Sequence, residues 1–215
     1  MKIIKSMWLE IIFACVLVFV MILSVTSSVH VIDTEQYKKH LQKSSIELGT
    51  ASMDEYLAEI EKLSDCTAII VVKNIENFHE PKMIDALKSM GFKNIDVLSD
   101  YTKYHSFIGI WSDGKVIYEE FGENEPITYG QKTGSHYIYA MSTTPSSGNA
   151  GYIYIDDVRY SVNYSGFNIV TIDNKNDALI DSVAYNTNEA DIPLYRLENK
   201  KAVKIISTRE ESDIK

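Results

Sequence analysis

Residues Ile11 to Leu23 form an unbroken apolar run of 13 residues, continued by a semi-polar stretch to Ile32. From Trp8 to Val29 this makes about 22 residues, enough for a helix to cross a hydrocarbon core about 30 Å thick. The run therefore divides the chain into a membrane-spanning part and a remainder that folds in water. Trp8 stands where an interfacial aromatic sits, and Lys2 and Lys5 precede it. Positive flanks stay in the cytoplasm, so the expectation is a single-pass protein of the cell membrane, N-terminus cytoplasmic and C-terminal domain extracytoplasmic. A cleaved signal peptide is the competing reading, with small residues around Val25–Ser27 for a peptidase. The apolar stretch outlasts a typical signal core, which favours an anchor, and both readings deliver the domain to the same compartment. The expected organisation is a short tail (1–7), an anchor (8–30), a polar juxtamembrane stalk (31–50), a folded domain (51–195) and a charged C-terminal tail (196–215).

Removing Lys2, Lys5 and Glu10 leaves 19 basic and 29 acidic residues, a balance of −10. Such a surface repels phosphate backbones, so nucleic acid is excluded as a partner. Of the two cysteines, Cys15 lies in the apolar run and Cys66 is alone in the folded part. An intramolecular disulfide and a cysteine-based zinc site are thereby excluded, and the core must hold the domain unaided.

Ser52 and Glu55 read as a capping box ahead of Met53, Tyr56, Leu57, Ile60 and Leu63 at helical spacing. Thr67–Val72 is β-branched and apolar on both faces, which predicts a buried central strand. Pro81 opens a second helix bearing Met83, Ile84, Leu87 and Met90, and Gly91 closes it. Strands follow: 106–111 and 116–121 as a hairpin, then 136–142, a Pro/Ser/Gly loop at 143–151, 152–155 and 158–162, the hairpin 167–172 and 178–185, and one further strand near 202–207. The fold class expected is α/β: a two-layer or sandwich-like mixed β-sheet with two packed helices, preceded by one transmembrane helix.

Catalytic signatures are missing: no Gly-x-Ser-x-Gly elbow, no phosphate-binding glycine loop and no paired histidines for a metal. The carboxylates Glu119, Glu120, Glu123 and Glu125 read as a solvated face, and Asp156 and Asp157 as turn residues. Asp173–Asp177 has the start of a calcium loop but lacks its glycine and distal glutamate. Neither a metal nor a cofactor is implied, and the expectation is a protein that is not an enzyme. Tyr137, Tyr139, Tyr152, Tyr154, Tyr160 and Tyr164 fall within 28 residues. Aromatic faces with polar tips suit sugar rings, although alternating tyrosines also brace strands through cross-strand pairs.

Asn163-Tyr-Ser-Gly-Phe-Asn-Ile-Val170 and Ile180-Asp-Ser-Val-Ala-Tyr-Asn-Thr187 resemble the opening half of the interleukin-like EMT inducer (ILEI) domain family. The segment 52–111 resembles its closing half, with Leu87-Lys-Ser-Met-Gly91 at a helix end and Ser106-Phe-Ile-Gly109 in the last strand. The order is reversed relative to the animal members, as a circular permutation would produce. The resemblance implies an α/β sandwich that binds and does not catalyse. Relatives include secreted signalling proteins and a stem domain that recognises a sugar. The absence of the animal members' disulfide cysteines points to a bacterial surface protein.

Family positions depart here: the arginine before the glycine is Ser165, and the Arg-Asp-x-Trp stretch aligns with Thr102-Lys-Tyr-His105. The resemblance places ligand-binding roles on Tyr101, Tyr104 and His105 for stacking and on Asn168 and Asn186 for hydrogen bonds, all in loops next to strand ends. The expected function is a carbohydrate-binding recognition domain working on cell-surface glycan. The alternative is a structural accessory subunit docked on another membrane or envelope protein.

Overall fold

Six consecutive β-branched or small residues between Thr67 and Val72 make a strand that must be covered on both faces, and the fold is built around it. The computed structural model describes residues 52–205, except 77, 79, 100–102, 190, 191, 193, 199 and 200. The expected anchor, the stalk and Tyr101 lie outside the described residues. Among the described residues no helix is long and apolar enough to cross a membrane.

In chain order the elements are α1 (Met53–Glu61), β1 (Cys66–Lys73), β2 (Ile75–Glu76), α2 (Pro81–Ser89), a 3-10 turn (Ile95–Ser99), β3 (Tyr104–Ser112), β4 (Lys115–Glu123), β5 (Ile127–Thr133), β6 (His136–Ser142), β7 (Gly151–Ile155), β8 (Val158–Arg159), β9 (Gly166–Asp173), β10 (Ala178–Asn186), β11 (Leu194–Glu198) and β12 (Lys201–Ile205). The large sheet runs β12-β11-β10-β9-β1-β3, with β2 and β4 also paired to β3. The small sheet is the meander β5-β6-β7-β8.

Alternation along the central strands sorts two cores. Ala68, Ile70 and Val72 of β1, with Phe107, Trp111, Phe167 and Ile169, face the helices, which contribute Tyr56, Leu57, Ile60 and Leu87. Ile69 and Val71, with Ile108, Ile110, Val170 and Ile172, face the small sheet, where Ile138, Ala140, Ile153 and Ile155 meet them. The result is helices, large sheet and small sheet in three layers, with the sandwich in the last two. Every strand pairing is antiparallel, which corrects the expectation of a mixed sheet. Tight turns at Asp113-Gly114 and Asp156-Asp157, all at positive φ, force that sense on their hairpins.

The pairing of β1 with β9 brings together sequence far apart: Val72 lies opposite Phe167 and Ala68 opposite Thr171. The large sheet continues past residue 195 into β11 and into β12, which falls on the strand expected near 202–207 within the charged segment. Ser52 precedes α1 in an extended conformation (φ −61°, ψ 162°) but its side chain makes no capping bond; the backbone bond from Tyr56 N to Ser52 O starts the helix.

Tyr56 and Tyr185 meet edge to face beneath α1, ring centroids 5.9 Å apart. Burial, and after it the charge of Asp181, holds both phenols well above their usual range. A group whose folded-state value is raised contributes stability that is complete below its unfolded value, about pH 10 for tyrosine, and is lost as pH rises beyond it. In an alkaline titration these two tyrosines are expected to ionise only as the domain unfolds. Tyrosinate absorbance that accounts for all the tyrosines while the circular dichroism stays native would contradict their burial.

Candidate functional site

Of the residues that the family resemblance singles out, Tyr104, His105, Asn168 and Asn186 gather at one end of the large sheet. Lys73 is paired with Gly166, Gly166 with Asn186, and β3 enters beside them with Tyr104 and His105 opposite Glu76 and Ile75. The side chains of Asn168 and Asn186 are taken up by hydrogen bonds within the fold. Asn168 is fully buried: its Oδ1 accepts from Tyr164 N at 3.1 Å and its Nδ2 donates to Tyr164 O at 2.8 Å, folding the loop back on itself. Asn186 is 8% exposed, donates to Glu189 Oε1 at 2.7 Å and accepts from Asn188 N at 3.2 Å. His105 is fully buried, and Tyr104 is half-buried at the strand start. Nearby, Tyr164 stacks on Tyr195 at 4.1 Å and 12°, and Lys73 Nζ donates to Asn163 O at 2.9 Å. These groups tie strand ends together.

Aromatic side chains collect instead on the outer face of the small sheet. In β6 and β7, Ile138, Ala140, Ile153 and Ile155 point to the core, so period-two alternation turns Tyr137, Tyr139, Tyr152 and Tyr154 outward. Tyr139 is paired with Tyr154, and Tyr152 lies one step further along the same face of β7, so the four residues form a diagonal stripe over β6 and β7. Tyr139 and Tyr154 are 6.0 Å apart at 60°, Tyr152 and Tyr154 6.2 Å apart at 79°. The Arg159 guanidinium lies 5.6 Å from the Tyr152 ring centroid. Opposite Tyr139 stands Gly130, and a Cβ there would come within 3.0 Å of Tyr137 Oη. Absence of a side chain on β5 lets the phenols lie across that strand. Tyr137 is 48% exposed and the other three are half-buried against one another. Of the six clustered tyrosines, Tyr160 packs toward the inner core and Tyr164 belongs to the strand-end stack.

The stripe is held in place by a polar corner. His136 Nδ1 meets Asp156 Oδ2 at 2.6 Å, and its Nε2 faces Asp177 Oδ1 at 3.5 Å across the β9–β10 turn. Asp156 also accepts from the Tyr137 amide at 2.9 Å. Partial burial alone would raise the Asp156 carboxyl; the His136 and Tyr137 hydrogen bonds outweigh it and hold it below its usual value.

Other chemistry is weaker. Burial, with Asp113 next in size, pushes the Cys66 thiol up to about 12, so it holds no nucleophilic thiolate at neutral pH. Among the described residues no cluster of three His, Cys, Asp or Glu side chains is placed to hold a metal. A cleft of about 380 Å³ opens at the other end of β1, but Thr67 Oγ1 already meets Ser112 Oγ at 2.8 Å and Asn174 Oδ1 at 3.0 Å. Set against known protein families, curated proteins and solved structures, the chain finds no match.

Proposed function

We propose that this chain is a membrane-tethered, extracytoplasmic and non-catalytic recognition domain that binds carbohydrate, working on cell-surface polysaccharide. The observation that carries the reading is the tyrosine stripe. Three phenol rings in contact, with Tyr137 on the same face of β6, offer apolar faces for the C–H faces of pyranoses and hydroxyls for their edges. A ligand laid on such a surface loses little to protein ordering, because the strands already fix the rings. The kinship with the ILEI family is part of the same proposal. It is supported by the direct pairing of β1 with β9, which joins the two resembling halves in one sheet.

A glycan and polysaccharide array probed with the full-length chain in mild detergent tests the reading. Retention on polysaccharides with extended chains is the expected result. Capture of an envelope protein with silence on every glycan would replace the reading with the accessory-subunit alternative.

A further inference from the structure

The stripe carries a charge pattern opposite to that of the chain as a whole. The chain has 30 acidic and 21 basic residues, yet the positions that strand register places on the outer face of the small sheet include no aspartate or glutamate. They include two cations. Lys132 sits on β5 opposite Tyr137, at one end of the stripe, and Arg159 sits on β8 opposite Tyr154, at the other side. Three strand spacings separate β5 from β8, about 14 Å. Carboxylates stand close by in the β7–β8 turn: Asp156 is engaged by His136 and the Tyr137 amide and lies within electrostatic reach of Lys132, and Asp157 is exposed at the tip. The Arg159 guanidinium rests against Tyr152, which orients its flat fork while leaving N–H edges for a planar anion.

Resting on the carbohydrate reading above, we propose that the stripe takes an acidic polysaccharide, a chain whose pyranose rings lie on the tyrosines while its carboxylates fall to Lys132 and Arg159. Stacking gives the affinity and the two cations select the acidic chain over a neutral one.

Calorimetric titration of the full-length chain with polygalacturonate, and with a neutral glucan of similar length, tests this. The expected result is binding of polygalacturonate at least tenfold tighter than of the glucan, with the difference shrinking as salt rises. Arg159→Gln and Lys132→Gln are each expected to remove a large part of that preference while leaving the melting temperature unchanged. Both side chains are exposed, so neither change threatens the fold. Equal binding of both polymers, indifferent to salt and to both substitutions, overturns the acidic preference and leaves the carbohydrate reading standing. Failure of every polymer to bind overturns both.

Discussion

Gly166→Ala is expected to destabilise the domain by about 4 kcal/mol, a large share of the 5–15 kcal/mol typical of a domain. Gly166 opens β9 at φ +102°, a conformation that L side chains rarely adopt. A Cβ built there would sit 2.1 Å from Tyr185 O and 2.7 Å from Thr187 N. Both obstacles are backbone of the partner strand, so the pair Gly166–Asn186 would have to part. That pair closes the sheet end where Asn168 holds the loop before β9. Urea unfolding, with midpoint and slope compared to the unsubstituted chain, measures the loss. A midpoint within error of the original would mean that the strand end is not held as described.

Arg196→Ala is expected to cost about 3–5 kcal/mol, because it strands a charge in the core. The Asp181 carboxylate has no exposed side-chain surface and is held in a two-pronged pair, Arg196 Nε to Oδ1 at 3.1 Å and Nη2 to Oδ2 at 3.0 Å. The pair joins β10 to β11 and lies beside Tyr56 and Tyr185, whose phenols the Asp181 charge raises and the Arg196 charge lowers. Replacing both partners, Asp181→Leu with Arg196→Met, removes charge and counter-charge together and is expected to recover most of the loss. Chemical unfolding of Asp181→Leu, Arg196→Met and the double variant forms the cycle. A double variant as unstable as Arg196→Ala would show that the cost lies in lost packing and not in the unpaired carboxylate.

Much of the architecture is legible in the residues because local rules and burial agree there. Thr67–Val72 is apolar at every position and is the strand with a core on each face. Pro81 and Gly91 bound α2, where Gly91 N donates to Lys88 O and Phe92 N to Leu87 O in the manner of a helix-ending motif. β5 is harder to see. Its pattern alternates as a strand should, but Pro126 and Gly130 punctuate it and only Ile127 and Tyr129 reach the core. Of the β11–β12 hairpin, the apolar alternation near 202–207 marks the second strand, whereas β11 carries too mixed a pattern to stand out.

The site was legible in part. An asparagine that satisfies its own loop and one that meets a ligand have the same residue type and the same place beside a strand end, so Asn168 and Asn186 could not be told apart from binders by sequence. The tyrosine run was visible, and its alternation with Ile138, Ala140, Ile153 and Ile155 was the signal for an outward face. Pairing of β6 with β7 in register, which sequence does not give, is what assembles those rings into a stripe.

The most direct measurement is a titration of one bound polysaccharide against the original chain and the double variant Tyr139→Ala/Tyr154→Ala, with thermal melts run alongside. Stacking lost at two rings is expected to weaken binding by about tenfold or more, while the melting temperature moves little, since both rings lie on the solvent side of the sheet. Unchanged affinity in a variant that melts lower would contradict the account, leaving the stripe as bracing between strands.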